Sequence, residues 1–321
     1  MLDGLDEQRR ALASEDPERR KRARDQLRGH DEASAHAVPL LLELVADLAT
    51  PERNLILLLL DGMTVGEDDF VLPEGVRVGF EELPTYRAVH EGVPLFRKLL
   101  WDGDSEIEAQ AAKLLAWFPA EADGSLEALW ARLETAPQTV AGACLAAIGL
   151  LGGRHQVERL APLLTDDDPY RRWGAAIALA RIAGREAPDP TLDVLLDAAT
   201  GDLPDGTDEG VEFDNGDMPG YAIRSLRLLG PRGLDAMLEA LPGCERLVHG
   251  VVPHAFPERI DADPSFAELT DDQQRVLRGV LRSGWVIGWQ LHNLGLPDTP
   301  EALDAYIRGV KPRRRWFWQR D

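Results

Sequence analysis

Apolar residues recur along this chain at helical spacing, and the predicted helices themselves recur. Three segments superpose when the sequence is shifted by 32 residues, with starts at positions 104, 136 and 168. In each segment, a pair of small residues is followed by a larger apolar residue two helical turns later. Small residues let a neighbouring helix approach closely, and larger ones fill the space behind it. The residues in register are Ala111 and Ala112 with Phe118, Ala143 and Cys144 with Leu150, and Ala175 and Ala176 with Ile182.

A second apolar helix follows each of these segments, over about residues 126–133, 157–164 and 192–198. One unit therefore consists of a helix, a turn, a second helix and a short loop. A single pair of this kind cannot bury its apolar face, so successive pairs must stack. The pattern predicts an all-α fold in which stacked pairs form an α-solenoid. Residues 71–80 form the one segment with strand character, and its pattern is weak.

The outer parts of the chain follow the same plan less regularly. Residues 221–229 lie over 174–182 with an offset of 47, which is one repeat of 32 plus an insertion of 15. With the helices predicted on either side, this gives about six to seven helix pairs in a single domain over residues 1–310. These further helices are predicted at 17–27, 38–48, 51–60, 89–100, 234–241, 271–282, 286–294 and 300–307.

Several predicted helices begin after a residue that can cap them. A side-chain oxygen at this position accepts a free amide of the first turn, and proline suits the first helical position. Asp104 precedes one repeat helix, and the pairs Ser105–Glu108 and Thr270–Gln273 have the spacing of a capping box. Aspartate or threonine precedes proline at Asp16, Thr50, Asp168, Asp189 and Thr299.

The repeat resembles the HEAT family, in the short bacterial form called PBS-lyase HEAT-like repeats. The first helix of that family reads roughly Asp-x-x-Val-Arg-x-x-Ala-Ala, and the segment at 168 matches it closely. The segment at 104 has glutamate in place of the arginine, and the segment at 136 lacks both charged residues. The resemblance covers about residues 102–200 and implies a right-handed α-solenoid. We expect Arg172 to be structural and to pair with Asp168 or with an aspartate of the next repeat. The matching positions are Asp104, Ala111, Ala112, Asp168, Arg172, Ala175 and Ala176.

Two acidic segments interrupt the repeat. Residues 61–86 mix acidic and apolar side chains, which suits either docking against a partner or a loop that folds back and buries Phe70 and Phe80. Residues 201–217 contain seven acids and no base. Read as a calcium loop, the second segment lacks the required ligands at its third and twelfth positions, which favours a solvated loop.

The last residues, 311–321, combine arginines with Trp316 and Trp318. Such a basic aromatic tail suits stacking on a nucleic acid base or binding to an acidic surface. It is equally suited to cover the last repeat, because the ends of a solenoid must be sealed. Both interpretations remain open from the sequence.

The net charge of −21 bears on which molecules this protein can bind. Such a field repels nucleic acid and anionic lipid and favours basic proteins, although an acidic surface also serves simply to keep a protein in solution.

Cys144 and Cys244 are far apart and have no metal-ligand spacing, which fits a reducing cytoplasm. The longest apolar run, 55–60, is far too short to cross a bilayer, and the polar start of the chain is unlike a signal peptide.

No catalytic motif is recognisable in the sequence. Phosphate-binding glycine loops, metalloprotease histidine pairs and serine elbows are all absent, and the seven histidines are scattered. We therefore expect no enzyme activity, cofactor or metal. The alternative is a HEAT-like DNA glycosylase acting on alkylated bases, a family that combines tryptophans with an aspartate in a basic groove, but the negative charge argues against it. The tryptophans that raise this alternative are Trp101, Trp117, Trp130, Trp173, Trp285 and Trp289.

We therefore expect a cytoplasmic, non-enzymatic scaffold or adaptor that binds a protein or peptide on the concave face of the solenoid. An inhibitor or immunity protein for a basic partner is one form of this function. Tryptophan and arginine often dominate interface energies, so Trp130 and Arg132 are the leading expected contacts. The full set of predicted contacts on the second helices is Trp130, Arg132, Glu134, Glu158 and Arg159.

Overall fold

The computed structural model describes residues 2–65, 79–201, 217–260 and 264–310. Every regular element within these ranges is helical, which confirms the all-α class. The weak strand predicted over 71–80 lies outside the described residues except at its end, where Phe80 begins a short 3-10 helix. The α-helices are α1 (Leu2–Leu12), α2 (Pro17–Leu27), α3 (Glu32–Ala46), α4 (Arg53–Val65), α5 (Pro84–His90), α6 (Val93–Leu99), α7 (Ser105–Ala116), α8 (Ala122–Leu133), α9 (Gln138–Leu151), α10 (Val157–Leu160), α11 (Pro169–Ala183), α12 (Pro190–Thr200), α13 (Met218–Leu228), α14 (Pro231–Ala240), α15 (Val248–Ala255), α16 (Asp271–Ser283), α17 (Gly288–Asn293) and α18 (Pro300–Ile307).

The first helices of the three repeats, α7, α9 and α11, pack side by side, as the repeat predicted. A Cβ atom added at Gly174 would lie 2.9 Å from the Cβ of Leu145, and one added at Gly149 would lie 2.7 Å from the Cα of Ala178. Both contacts join positions 29 apart (174 − 145 and 178 − 149), so α9 and α11 run parallel in a fixed register. The recurrent small residues Ala111, Ala143 and Ala175 are completely buried in this stack.

The stack continues in both directions from these three helices. On the N-terminal side α4 packs on α7, and on the C-terminal side α13 packs on α11 and α15 packs on α13. Because α13 takes the next place in the stack, the offset of 47 corresponds to an insertion between repeats, as predicted. The buried apolar side chains of all these helices join into one continuous core. The described part of the chain is therefore an α-solenoid.

The second helices of the units are less regular than predicted. The helix expected at 89–100 is divided into α5 and α6, which meet at Gly92. A Cβ atom there would lie 2.6 Å from Leu42 Cδ2, so the backbone at the break fits closely against α3. The helix expected at 157–164 changes after Leu160 into a 3-10 helix, Ala161–Thr165. Pro162 explains this change, because it has no amide to continue the α-helical bonding.

Most of the predicted helix caps are present. Asp104 accepts the amide of Glu106 at 2.9 Å, and Asp168 accepts that of Tyr170 at the same distance. Thr270 and Gln273 form a reciprocal capping box. Asp16 and Thr299 also cap their helices. The sequence pattern therefore placed these five helix starts correctly.

Three capping predictions were wrong. The Ser105–Glu108 box is absent because Asp104 already caps α7 and Glu108 faces the interior. Thr50 precedes a turn rather than a helix, since α4 begins only at Arg53. Asp189 makes no capping bond and instead accepts a hydrogen bond from Arg232 at 3.0 Å. For Asp189, a residue 43 positions later in the chain determines the pairing.

The expected pairing of Arg172 with Asp168 was also wrong. Arg172 donates to the backbone carbonyls of Asp166 and Asp167, at 2.7 and 2.9 Å, and so holds the loop before α11. The residue beside Asp168 is Arg171, whose Nε lies 3.9 Å from Oδ2. The carboxylate of Asp168 is already occupied by the first turn of its helix, which leaves the arginine to bind the loop carbonyls.

The first insertion is shorter than the predicted range 61–86. Helix α4 continues to Val65 and α5 begins at Pro84, because the side chains of residues 61 and 63–65 are buried against the rest of the core. The rest of this segment over 66–78, the acidic segment over 202–216 and the tail 311–321 lie outside the described residues. Within the described ranges, no helix combines the length and apolarity needed to cross a bilayer.

Candidate partner-binding surface

Trp130 and Arg132, the leading predicted contacts, are buried in the structure. The side chain of Trp130 is 6% exposed, and its indole nitrogen donates to Gln156 Oε1 at 2.9 Å. Arg132 is 7% exposed and forms an ion pair with Glu108 at 2.7 Å. The prediction was wrong because both side chains are covered by neighbouring elements, Trp130 by Gln156 and Arg159 and Arg132 by Glu108. Neither side chain is presented to a partner.

The ion pair between Glu108 and Arg132 fastens α7 to α8. The second carboxylate oxygen of Glu108 accepts the amide of Gly103 at 3.0 Å, and Arg132 also donates to Thr135 Oγ1 at 3.1 Å. Both charged groups therefore have partners within the protein, although the Nε atom of Arg132 is buried without a hydrogen bond. Glu108 stands where the HEAT pattern has arginine. This repeat therefore also has a charged side chain at that position, but its charge is negative.

The other three predicted contacts, Glu134, Glu158 and Arg159, are exposed. The guanidinium carbon of Arg159 lies 3.9 Å from the centroid of the Trp130 ring, which is a cation–π contact. This arrangement holds the Arg159 side chain against α8 and links α8 to α10. The role of Glu134, Glu158 and Arg159 as partner contacts stays a prediction.

Exposed carboxylates dominate the surface of α8, α10 and α12. Asp123, Glu127 and Glu134 are four and seven residues apart and share one side of α8. Contacts connect the three helices in sequence, since Trp130 reaches Gln156 and the turn Ala161–Thr165 packs on α12. Arg159 is the single exposed base on these helices, all of which are described in full. We call the six carboxylates the acidic face: Asp123, Glu127, Glu134, Glu158, Asp193 and Asp197.

Two of the described tryptophans, Trp117 and Trp173, are buried, and each is hydrogen-bonded to an aspartate. Trp117 is buried, and its indole nitrogen donates to Asp61 Oδ1 at 2.7 Å. The other oxygen of Asp61 lies 3.0 Å from the ammonium of Lys113, and the Asp61 side chain is 1% exposed. Trp173 is also buried and donates to Asp197 at 3.0 Å. These carboxylate–tryptophan pairs pack the interior or its edge and give no support to a base-binding pocket.

The two cysteines are not joined in a disulfide. Both are free, and Cys144 is completely buried in α9. Burial raises the pKa of the Cys144 thiol to about 12, so the thiol stays protonated and unreactive. Among the described residues, no group of three or more histidine, cysteine or acidic side chains is arranged to hold a metal ion.

The comparisons with known proteins agree with this architecture in one region. Residues 126–208 match the model of the family described as HEAT repeats. No curated protein sequence matches the chain. One crystal structure of an engineered protein is similar at 20% identity, with 88% of this chain and 98% of that chain covered and a TM-score of 0.31. A second engineered protein is similar at 16% identity, with 95% and 87% covered and a TM-score of 0.33.

The described chain is thus an α-solenoid of stacked helix pairs. Residues 126–208 match the HEAT-repeat family model, in agreement with the resemblance found in the sequence. The matched region begins at Leu126, within α8, and contains α10 and α12, and therefore five of the six carboxylates of the acidic face.

The buried charges were missed although the sequence contained a signal for them. Asp61 follows Leu57 and Leu60 on the apolar side of α4, at the spacing of a buried stripe. Lys113 sits within an otherwise apolar run of α7 in the same way. A charged residue at a position where the period demands an apolar one indicates a buried ion pair, and two such positions of opposite sign indicate the partners.

Proposed function

We propose that this protein is a non-enzymatic scaffold or adaptor whose acidic face binds a basic protein. The observation that carries the proposal is the set of six exposed carboxylates on three connected helices, with one exposed base among them. Surfaces of this kind attract and orient a basic partner over a distance of about one Debye length. The HEAT architecture supports the proposal, because stacked pairs display an extended surface suited to proteins and peptides.

Repulsion between carboxylates of the acidic face destabilises the helices that carry them. Asp123 and Glu127 are like charges one turn apart on α8, and Asp193 and Asp197 have the same spacing on α12. Such pairs destabilise a helix by a few tenths of a kcal/mol each. A partner with lysines and arginines would relieve this repulsion, so binding and helix stability are coupled.

An inhibitor of a basic enzyme is the narrower form of the proposal. The acidic face would then cover a cationic substrate-binding surface of that enzyme, in competition with its anionic substrate. The broader form is an assembly scaffold that holds several proteins. A single basic partner recovered at one-to-one stoichiometry supports the inhibitor, and several enzymes recovered together support the scaffold.

The test is affinity capture with the tagged full chain from cells of its source, followed by measurement with the purified partner. The variant Glu127→Gln, Glu134→Gln, Glu158→Gln should weaken binding by about tenfold or more, since each lost charge pair contributes up to ~1 kcal/mol. The control Glu7→Gln, Glu15→Gln, Glu91→Gln removes the same charge from exposed positions elsewhere and should bind as the parent does. Equal weakening by both variants would mean that net charge alone is recognised, and the acidic face would be rejected.

A further inference from the structure

Helices α14, α16 and α18 border a groove of about 570 Å³ near the C-terminal end of the described chain. Its volume lies within the range of small binding sites. The groove joins apolar side chains that are half-buried to arginines that are exposed. We call it the basic groove, with Leu238, Leu281 and Ile307 as its floor and Arg275, Arg278 and Arg282 as its rim.

The three arginines occupy one side of α16, because positions 275, 278 and 282 are three and seven residues apart. Arg275 is held by Asp235 and by Asp272, the latter at 3.0 Å. Arg278 lies over the Phe266 ring with its guanidinium carbon 4.9 Å from the centroid. Arg282 donates from Nε to the carbonyl of Arg278 at 3.3 Å. Neither Arg278 nor Arg282 forms an ion pair with a carboxylate of the described residues.

Arg278 and Arg282 place positive charge beside an apolar floor in a chain whose net charge is −21. Arginine planes bind carboxylates bidentately, and the floor offers contact for an aliphatic side chain. Glu239 also lines the groove and opposes a small anion placed near it. An extended ligand avoids this repulsion, since it can direct its carboxylates to Arg278 and Arg282 and its apolar side chain to the floor.

We propose that the basic groove binds an acidic peptide segment of a partner protein. One or more leucine-like side chains of the peptide pack on Leu238, Leu281 and Ile307, and flanking carboxylates pair with Arg278 and Arg282. The basic groove is opposite in charge to the acidic face and is formed by different helices. The two surfaces would therefore select different partners, and the basic groove stands whether or not the acidic face is confirmed.

The test is fluorescence anisotropy with a labelled peptide of the sequence Glu-Asp-Leu-Glu-Glu-Leu-Asp and the full chain. The variant Arg278→Gln, Arg282→Gln should bind the peptide about tenfold more weakly, because two charge-assisted contacts are lost. The control Arg19→Gln, Arg22→Gln removes two exposed arginines from α2. Arg22 makes the same kind of bond to a carbonyl four residues earlier as Arg282 does, and the control should bind as the parent does.

Two further peptides separate the parts of the proposal. Replacing every acid by its amide should abolish binding, and replacing both leucines by serine should weaken it severalfold, because the floor then lacks its contact. The proposal is overturned if the parent protein does not bind the acidic peptide, or if Arg278→Gln, Arg282→Gln binds it equally well. It is also overturned if the serine peptide or tripolyphosphate of similar charge binds as tightly, since the groove would then be a general anion site.

Discussion

At the residue scale, the ion pair between Lys113 and Asp61 joins α4 to α7 almost entirely out of solvent. The two side chains are 2% and 1% exposed, and their charged atoms are 3.0 Å apart. Arg53 and Asp102 form a second pair between the same repeats, with two bonds of 2.7 and 3.1 Å and both side chains 8% exposed. Buried pairs contribute little net stability, but removing one partner leaves an uncompensated charge. They therefore fix the position of α4 against α7.

We predict that Asp61→Asn destabilises the protein by about 3–5 kcal/mol, because the buried Lys113 ammonium loses its ion pair with Asp61. The double variant Asp61→Leu, Lys113→Met removes both charges and should recover most of this loss. Urea unfolding followed by circular dichroism measures both values. If the double variant is as unstable as the single one, the loss reflects packing and not the broken ion pair.

Glu52 provides a second test at this scale. Its carboxylate lies 2.5 Å from Arg20 and 2.6 Å from Arg24, and hydrogen bonding to Arg20 is the main cause that lowers its pKa from 4.5 to about 2. A lowered pKa in the folded state stabilises the protein above the unfolded pKa, and this contribution disappears as the pH falls through the folded pKa. The relevant window is therefore from about pH 5 to about pH 2.

We predict that Glu52→Gln lowers the free energy of unfolding at pH 7 by about 2 kcal/mol. The difference between parent and variant should shrink steadily between pH 5 and pH 2. The control Glu15→Gln, at an exposed position, should leave the pH profile unchanged. A parent–variant difference that is constant over this range would contradict the assignment of the pKa to the arginine pairs.

At the element scale, the register of α9 against α11 depends on two glycines within these helices, Gly149 and Gly174. Gly149→Ala would place a Cβ atom 2.7 Å from the Ala178 backbone, so α11 must move. We predict a loss of about 1–3 kcal/mol in unfolding free energy. Gly62→Ala is the matched control, because it also lies within a helix but a Cβ there meets nothing within 4 Å. It should stabilise α4 by about 0.5–1 kcal/mol, and equal effects at both positions would contradict the close approach.

The elements that the sequence predicted well are those with a local cause. The repeat of small residues located α7, α9 and α11, because close helix packing demands small side chains at fixed intervals. The caps at Asp104 and Asp168 likewise depend on adjacent residues. Trp130 and Arg132 could not be placed from the pattern, because their burial depends on Glu108 and Gln156 in other elements. The basic groove also joins three separate helices, although the arginine spacing on α16 was visible in the sequence.

At the scale of the whole molecule, the solenoid separates its surface charges. The acidic face lies on α8, α10 and α12, and the basic groove lies on α14, α16 and α18. We predict that capture of a basic partner weakens strongly as sodium chloride rises from 50 to 500 mM, since exposed charges are screened. Binding that is insensitive to salt would indicate an apolar interface in place of the acidic face.

Carboxyl footprinting of the protein alone and in complex with its captured partner tests the central claim most directly. A carbodiimide couples an amine to accessible carboxylates, and mass spectrometry then reports labelling residue by residue. The account predicts that the complex loses labelling at Glu127, Glu134 and Glu158 and keeps it at Glu7 and Glu15. Unchanged labelling at the first three residues, with protection elsewhere on the molecule, would contradict it.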